Sequence, residues 1–247
     1  MTQPITRVFP DRQSLGYAAA ADIAAEIRDR LAVQQSVRIV FAAAPSQQEM
    51  LDALVAEAGI DWSRVTAFQM DDYLGLPDDA PQRFGQWLRS AIFDRLPFKT
   101  VHLMRTNGDP EQRAADYAAL LAEAPIDICC LGIGVNGHIA FNDPPVADFA
   151  DPRTVKVVEL DQICRQQQVD DGCFASIDDV PPQALTLTVP RLLDAAQLFC
   201  VVPGPAKAAA VRRTLHDDIS EACPATALRT HPRCTLYLDQ ESAHELG

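Results

Sequence analysis

Four short stretches of this chain gather residue types that can do chemistry. Asp71-Asp-Tyr73 places two carboxylates directly after an apolar run. Solvated turn carboxylates are the plain reading, but Tyr73, Leu74, Leu76 and Pro77 make the loop apolar. A carboxylate held in such surroundings can shuttle protons. Gly132-Ile-Gly-Val-Asn-Gly-His138 follows a second apolar run, Ile126-Asp-Ile-Cys-Cys-Leu131, and continues through Phe141-Asn-Asp143 into Pro144-Pro145. Its glycines allow positive φ and close approach of backbone to a ligand. An imidazole titrates at about pH 6.5 and needs an acceptor to fix its tautomer. Alone, His138 reads as a structural histidine; with Asn136 and Asp143 in the same loop it reads as an oriented acid–base group. Gly204-Pro-Ala-Lys207 sets proline in the first turn of a helix and lysine one turn in. That pattern is either a capped surface helix or a phosphate site made of backbone N–H groups and the Lys207 ammonium. Ala43-Ala-Pro-Ser-Gln-Gln48 closes another apolar run with polar residues at a strand end.

Gly132, Gly134 and Gly137 spell GxGxxG after a strand, the pattern of a dinucleotide site. That site requires a long helix starting at the loop, and the double proline leaves little room for one. The glycines are therefore read as shaping the loop around His138, and no organic cofactor is expected. His138 has no second His or Cys at ligand spacing, so no metal is expected either.

These stretches need elements to position them. Helical spacing of apolar residues predicts helices over 11–34, 46–58, 81–95, 111–122, 190–194 and 205–215. Apolar runs bounded by turn residues predict strands over 36–42, 65–70, 101–103, 126–131, 154–160, 184–189, 198–202 and 234–238. Residues 71–77 read as a turn-rich loop. Alternation of strand and helix predicts an α/β fold: one domain over 1–247, Rossmann-like, with a mostly parallel sheet and helices on both faces. Ligands of such sheets bind beyond the carboxyl ends of the strands, where all four stretches fall.

Composition sets limits on partners. The 247 residues carry a net charge of -13, which excludes non-specific attraction to nucleic acid or an anionic membrane. It leaves room for a phosphorylated small molecule, because one local cation outweighs a distant acidic surface. Residues 1–10 lack a charged leader and an apolar core, and no apolar run suits a membrane span. Seven cysteines without a CxxC pair read as small buried hydrophobes in a reducing compartment, so the chain is expected in the cytoplasm.

Taken together, Phe68-Gln-Met-Asp-Asp-Tyr-Leu-Gly-Leu-Pro77, Gly134-Val-Asn-Gly-His-Ile-Ala-Phe-Asn-Asp-Pro144 and Pro203-Gly-Pro-Ala-Lys207 resemble the glucosamine-6-phosphate deaminase and 6-phosphogluconolactonase superfamily. The acidic-Tyr loop and Gly-His-Ile-Ala-Phe-Asn point to its deaminase/isomerase branch. The resemblance implies aldose–ketose isomerisation of a glucosamine- or galactosamine-6-phosphate-like substrate, with release of ammonia. It implies that His138 opens the sugar ring, Asp143 orients His138, Asp71 carries a proton between C2 and C1, and Lys207 holds the phosphate. Asn136 stands where the family has an acid, and Asp143 where the deaminases have glutamate. The loop at Ala44 and Ser46 lacks the family's glycines. Asp72, Gly137 and Arg165 complete the implied substrate contacts, Arg165 as the nearest residue to the family's phosphate arginine. A homo-oligomer is one assembly the resemblance allows. Two other readings are lactone hydrolysis, with His138 activating water, and a sugar-phosphate-binding protein that has lost catalysis.

Overall fold

The computed structural model describes residues 4–247; Met1-Thr-Gln3, at the head of the stretch expected to lack a leader, lies outside the described residues. Seven strands form one parallel sheet. In spatial order they are β1 (Ile5–Phe9), β10 (Cys234–Asp239), β9 (Gln197–Val202), β6 (Ile128–Leu131), β2 (Val37–Phe41), β3 (Val65–Gln69) and β5 (Thr100–His102). The central strands are buried along their whole length, as expected for a sheet covered on both faces.

Alternation along each strand sends neighbouring side chains to opposite cores. Ile39, Phe41 and Cys130 pack on one face with Leu15 and Ile23 of α1 (Arg12–Val33) and Met50 and Leu51 of α2 (Gln48–Ala56). Val40, Cys129 and Leu131 pack on the other with Tyr117 and Leu121 of α4 (Pro110–Ala122) and Val211 of α7 (Ala208–His216). The expected α/β architecture with helices on both faces is therefore present.

Local signals set the helix ends. Asp11 caps α1 by accepting from the Ser14 N–H, and Asp109 caps α4 by accepting from the Glu111 N–H ahead of Pro110. Gly16 of α1 is in close contact with α2: a Cβ there would sit 2.8 Å from the Glu49 backbone carbonyl carbon. The expected helix at 81–95 is shorter, α3 (Phe84–Leu88) followed by a π-type turn at Arg89–Phe93.

The second sheet was not foreseen. β4 (Asp71–Tyr73), β8 (Gln183–Leu187) and β7 (Val155–Glu159) form a small antiparallel sheet. Residues 71–73 are thus a strand rather than the head of a turn-rich loop, and the expected strands at 154–160 and 184–189 belong to this second sheet. α5 (Gln162–Asp170) and α6 (Val189–Leu193) follow β7 and β8.

Strand order reverses between β2 and β6. From β2 the chain moves through β3 to β5; from β6 it moves the other way, through β9 to β10. The loops after β2 and β6 therefore part at the sheet's carboxyl end, where a crevice must open.

Candidate active site

That crevice holds a narrow cleft of about 60 Å³. Ala44, Ser46 and Gln47 line it from the loop after β2, Asp71 from β4, Gly134 and His138 from the loop after β6, and Lys207 from the turn after β9. Gln167 and Gln168 of α5 close it. It shares Ala43, Ala44 and Phe84 as walls with an adjoining cavity of about 350 Å³. A larger cavity, about 910 Å³, lies along β5 and shares no residue with this cleft. The acid–base groups, rather than volume, identify the candidate site.

His138 is held by its own loop. The Gly134 N–H donates to the His138 carbonyl (2.9 Å), and the His138 N–H donates to Asn136 Oδ1 (3.0 Å). A Cβ on Gly134 would lie 2.1 Å from the imidazole, so only glycine leaves space for the ring. Gly137 turns the chain at φ 88, where a Cβ would also strike Cys223 Sγ at 2.5 Å. Asn142 fastens the loop to β8 by donating to the Leu187 carbonyl (2.8 Å). No helix starts at this loop; the next one is α5, at Gln162. The glycines therefore shape the histidine loop, as read from the sequence.

His138 Nδ1 lies 2.9 Å from Asp143 Oδ1, a contact whose N–H direction is off the line of a full hydrogen bond. Asn136 Nδ2 donates to the same oxygen (3.0 Å) and also faces Asp161 Oδ2 (3.3 Å). The Asp161 N–H donates to Asp143 Oδ2 at 3.2 Å. Burial raises the Asp143 pKa, but the His138 ring, the Asn136 amide and the Asp161 N–H together hold it below the usual carboxylate range. Asn136 and Asp143 therefore sit behind His138 rather than in the cleft.

Cys164 brings a third donor within 4.8 Å of His138 and Asp143. Burial, with the Asp143 charge beside it, pushes its thiol well above the ordinary range, whereas a metal needs the thiolate. The trio suits an acid–base pair packed against a neutral thiol.

Asp71 is buried, and among the described residues no protein group donates to its carboxylate. Burial pushes its pKa well above the usual range, and the charges of Asp72 and Asp143 add to the effect. Lys207 is also buried, and its ammonium makes no hydrogen bond or ion pair among the described residues. Burial pulls its pKa down, opposed by the Asp171 and Cys164 charges. The cleft thus contains a bare carboxyl and a bare ammonium.

Both phosphate-loop candidates enter helices the same way. Pro45–Gln47 leads into α2 and Pro205–Lys207 into α7, each as a 3-10 turn opened by proline. The amino ends of two helices thus approach one cleft, an arrangement that favours an anion. Gly204 adopts φ 93, and its N–H donates to the Asp239 carboxylate at 2.9 Å.

Three expected contacts lie elsewhere. Asp72 points the opposite way from Asp71, pairing with Arg83 (3.1 Å) and accepting from Gln69 Nε2 and the N–H groups of Tyr73, Phe84 and Gly85. With both oxygens occupied, it positions the backbone instead of binding substrate. Arg165 Nη2 donates to the Ile177 and Val180 carbonyls (2.7 and 2.8 Å), so its guanidinium ties down a neighbouring turn outside the cleft. Gly137 does not line the cleft; its role is the turn beneath it.

Gln47, Gln167 and Gln168 escaped the sequence reading. Gln47 Nε2 donates to Ser46 Oγ and to the Val201 carbonyl, joining the first loop to β9. Gln167 Oε1 accepts from the Val135 N–H. Gln168 Oε1 accepts from Tyr73 Oη (2.8 Å), while its Nε2 has no acceptor among the described residues. Gln167 and Gln168 belong to a glutamine run directly after Arg165, and Gln47 to the pair that ends Ala43–Gln48.

Residues 10–237 match the family described as glucosamine-6-phosphate isomerases/6-phosphogluconolactonase. Glucosamine-6-phosphate deaminases of Bacillus cytotoxicus and Bacillus thuringiensis (strain Al Hakam) are each 38% identical over 186 residues, covering 74% of this chain and 68% of theirs. A solved structure described as a monomeric glucosamine-6-phosphate deaminase superposes with a TM-score of 0.89 at 28% identity, covering 97% of this chain and 99% of that one. A 6-phosphogluconolactonase from Shewanella baltica shares the fold, with a TM-score of 0.78 at 17% identity over 96% of this chain and 97% of its own. With the family match spanning nearly the whole chain and the deaminases this similar, the chain belongs to the glucosamine-6-phosphate isomerase/6-phosphogluconolactonase family.

Proposed function

We propose that this chain converts an amino-sugar 6-phosphate, of the glucosamine or galactosamine type, into a ketose phosphate and ammonia. The observation that carries this reading is the pairing of a bare buried carboxyl, Asp71, with a bare buried ammonium, Lys207, in one cleft beside the His138–Asp143 pair. Binding alone requires an anion site; a partnerless carboxyl with a raised pKa is the equipment of proton transfer.

Lys207 and the helix entry at Ala44–Ser46 hold the phosphate. His138 moves a proton from the anomeric hydroxyl to the ring oxygen and opens the sugar, while Asp143 stabilises the imidazolium. Asp71 then takes the C2 proton of the open chain and returns it to C1, leaving an imine at C2. Water adds to that carbon and ammonia departs, so water is consumed and no electrons leave the substrate. Asn136 keeps Asp143 and the His138 backbone in register without adding a charge. These steps are proton transfers and hydrolysis, which the named side chains supply without a cofactor. The six buried thiols, none disulfide-bonded, support a reducing, cytoplasmic setting.

Incubation with a panel of hexosamine 6-phosphates is expected to liberate ammonia and ketose phosphate in equal amounts. Cleavage of a phosphogluconolactone without ammonia from any amino sugar would transfer the chain to the lactonase reaction. Saturable binding without turnover of either class would make it a sugar-phosphate sensor.

A further inference from the structure

The chain carries 34 acidic side chains against 21 lysines and arginines, yet one groove away from the cleft reverses that balance. The 910 Å³ cavity along β5 is lined by Arg83, Arg89, Arg105 and Arg113, against Asp78 and Asp116. Arg105 is exposed and makes no hydrogen bond or ion pair with any described residue. The Nε groups of Arg83 and Arg113 are buried without a protein acceptor, donors that an anion could satisfy.

The existing ion pairs are cheap to exchange. The Arg113–Asp116 pair is 27% and 49% exposed and adds little stability, and Asp78, paired with the buried Arg83, is itself 66% exposed. Leu103 and Leu120 give the groove an apolar wall, and His102 and Gln86 give it neutral polar groups. We propose that this groove binds a phosphorylated small metabolite, its phosphate on Arg83, Arg105 and Arg113 and its carbon skeleton along Leu103 and Leu120.

One side chain, Arg83, reaches from that groove to Asp72, the neighbour of Asp71. Arg83 Nη1 pairs with Asp78 (2.8 Å) on the groove side, while Nη2 pairs with Asp72 (3.1 Å) and donates to the Met104 carbonyl (2.9 Å). The Gly85 N–H also donates to Asp72, and a Cβ on Gly85 would lie 3.4 Å from the Asp72 carboxylate. A phosphate competing for Arg83 acts on Asp72, the neighbour of Asp71, so filling the groove is coupled to turnover. This coupling rests on the proposed function; the binding does not.

Isothermal titration of the full chain with inorganic pyrophosphate at low ionic strength separates the two anion sites. The Lys207→Ala protein is expected to retain one site, and adding Arg105→Ala and Arg113→Ala should weaken it by about tenfold or more. No binding to the Lys207→Ala protein, or binding indifferent to the arginine changes, overturns the site. At saturating amino-sugar phosphate, pyrophosphate should alter kcat of the unmodified chain and not of the Arg105→Ala/Arg113→Ala protein. An unaltered kcat overturns the coupling. A chain that turns over no amino sugar defeats the proposed function and leaves the titration to decide the site.

Discussion

Asp71 and Lys207 bring opposite ionisable groups into one cleft without pairing. Both are shifted toward neutrality by burial, so each stands ready for a substrate that supplies the missing partner. Asp71→Asn is expected to cut turnover by about a thousandfold or more while sugar-phosphate binding persists, as separate rate and binding measurements will show. The same change bears on stability. Asp71 has a folded-state pKa above its unfolded value, so its contribution is intact at low pH and is lost as pH rises through the folded value. The Asn variant should therefore melt higher than the parent at pH 8, by about 2–6 °C, with the difference closing near pH 4. Equal melting temperatures at both pH values would contradict burial as the cause. Lys207→Ala should raise KM about tenfold or more, since the cleft has no second lysine or arginine to take the phosphate.

The residues that were legible carry rare chemistry in close sequence: two aspartates after a strand, a histidine among glycines, a lysine behind Gly-Pro. Gln47, Gln167 and Gln168 were not, because a neutral amide has the same appearance on a solvated face as in a site. Arg165 misled for the opposite reason. Its charge made it stand out, and its guanidinium is spent on two carbonyls.

At the scale of elements, the loop after β6 is built around the volume of an imidazole. Gly134→Ala should keep the fold and lose at least about a hundredfold in turnover, because the methyl and the His138 ring claim the same space. Activity close to the parent's would remove His138 from the reaction. Strands buried on both faces announced themselves as apolar runs, and long helices by their periodicity. Three elements gave no such signal. β1 lies at the sheet edge, with Ile5 and Val8 exposed and only two of its five residues partly covered. α5 turns glutamines inward where an ordinary helix turns leucines. β4 is three residues long, and its ladder with β8 joins positions over a hundred residues apart, a pairing that no local pattern encodes.

For the molecule as a whole, surface character speaks to assembly. Among the described residues the exposed large apolar side chains are Ile5, Val8, Tyr17, Val33 and Ile163, on β1, α1 and α5. Single exposed side chains are ordinary, and an obligate interface needs a broad apolar face. The expected light-scattering mass is therefore that of one chain, 27.0 kDa, although the resemblance also allowed a homo-oligomer. A mass of twice that value or more would contradict this reading.

The small antiparallel sheet has a consequence for evolution of the site. Asp71 and Asp72 are chemically identical neighbours, and only the pairing of Asp71 with Thr186 and Asp72 with Leu185 decides which faces the cleft and which meets Arg83. A frame slip of one residue would exchange them. Insertions and deletions between Gln69 and Asp71 are therefore closed to drift, whereas the chain beyond Leu76 can change length without moving Asp71. New substrate preferences in this lineage should accordingly arise by lengthening the segment after Leu76, with the two aspartates left in frame.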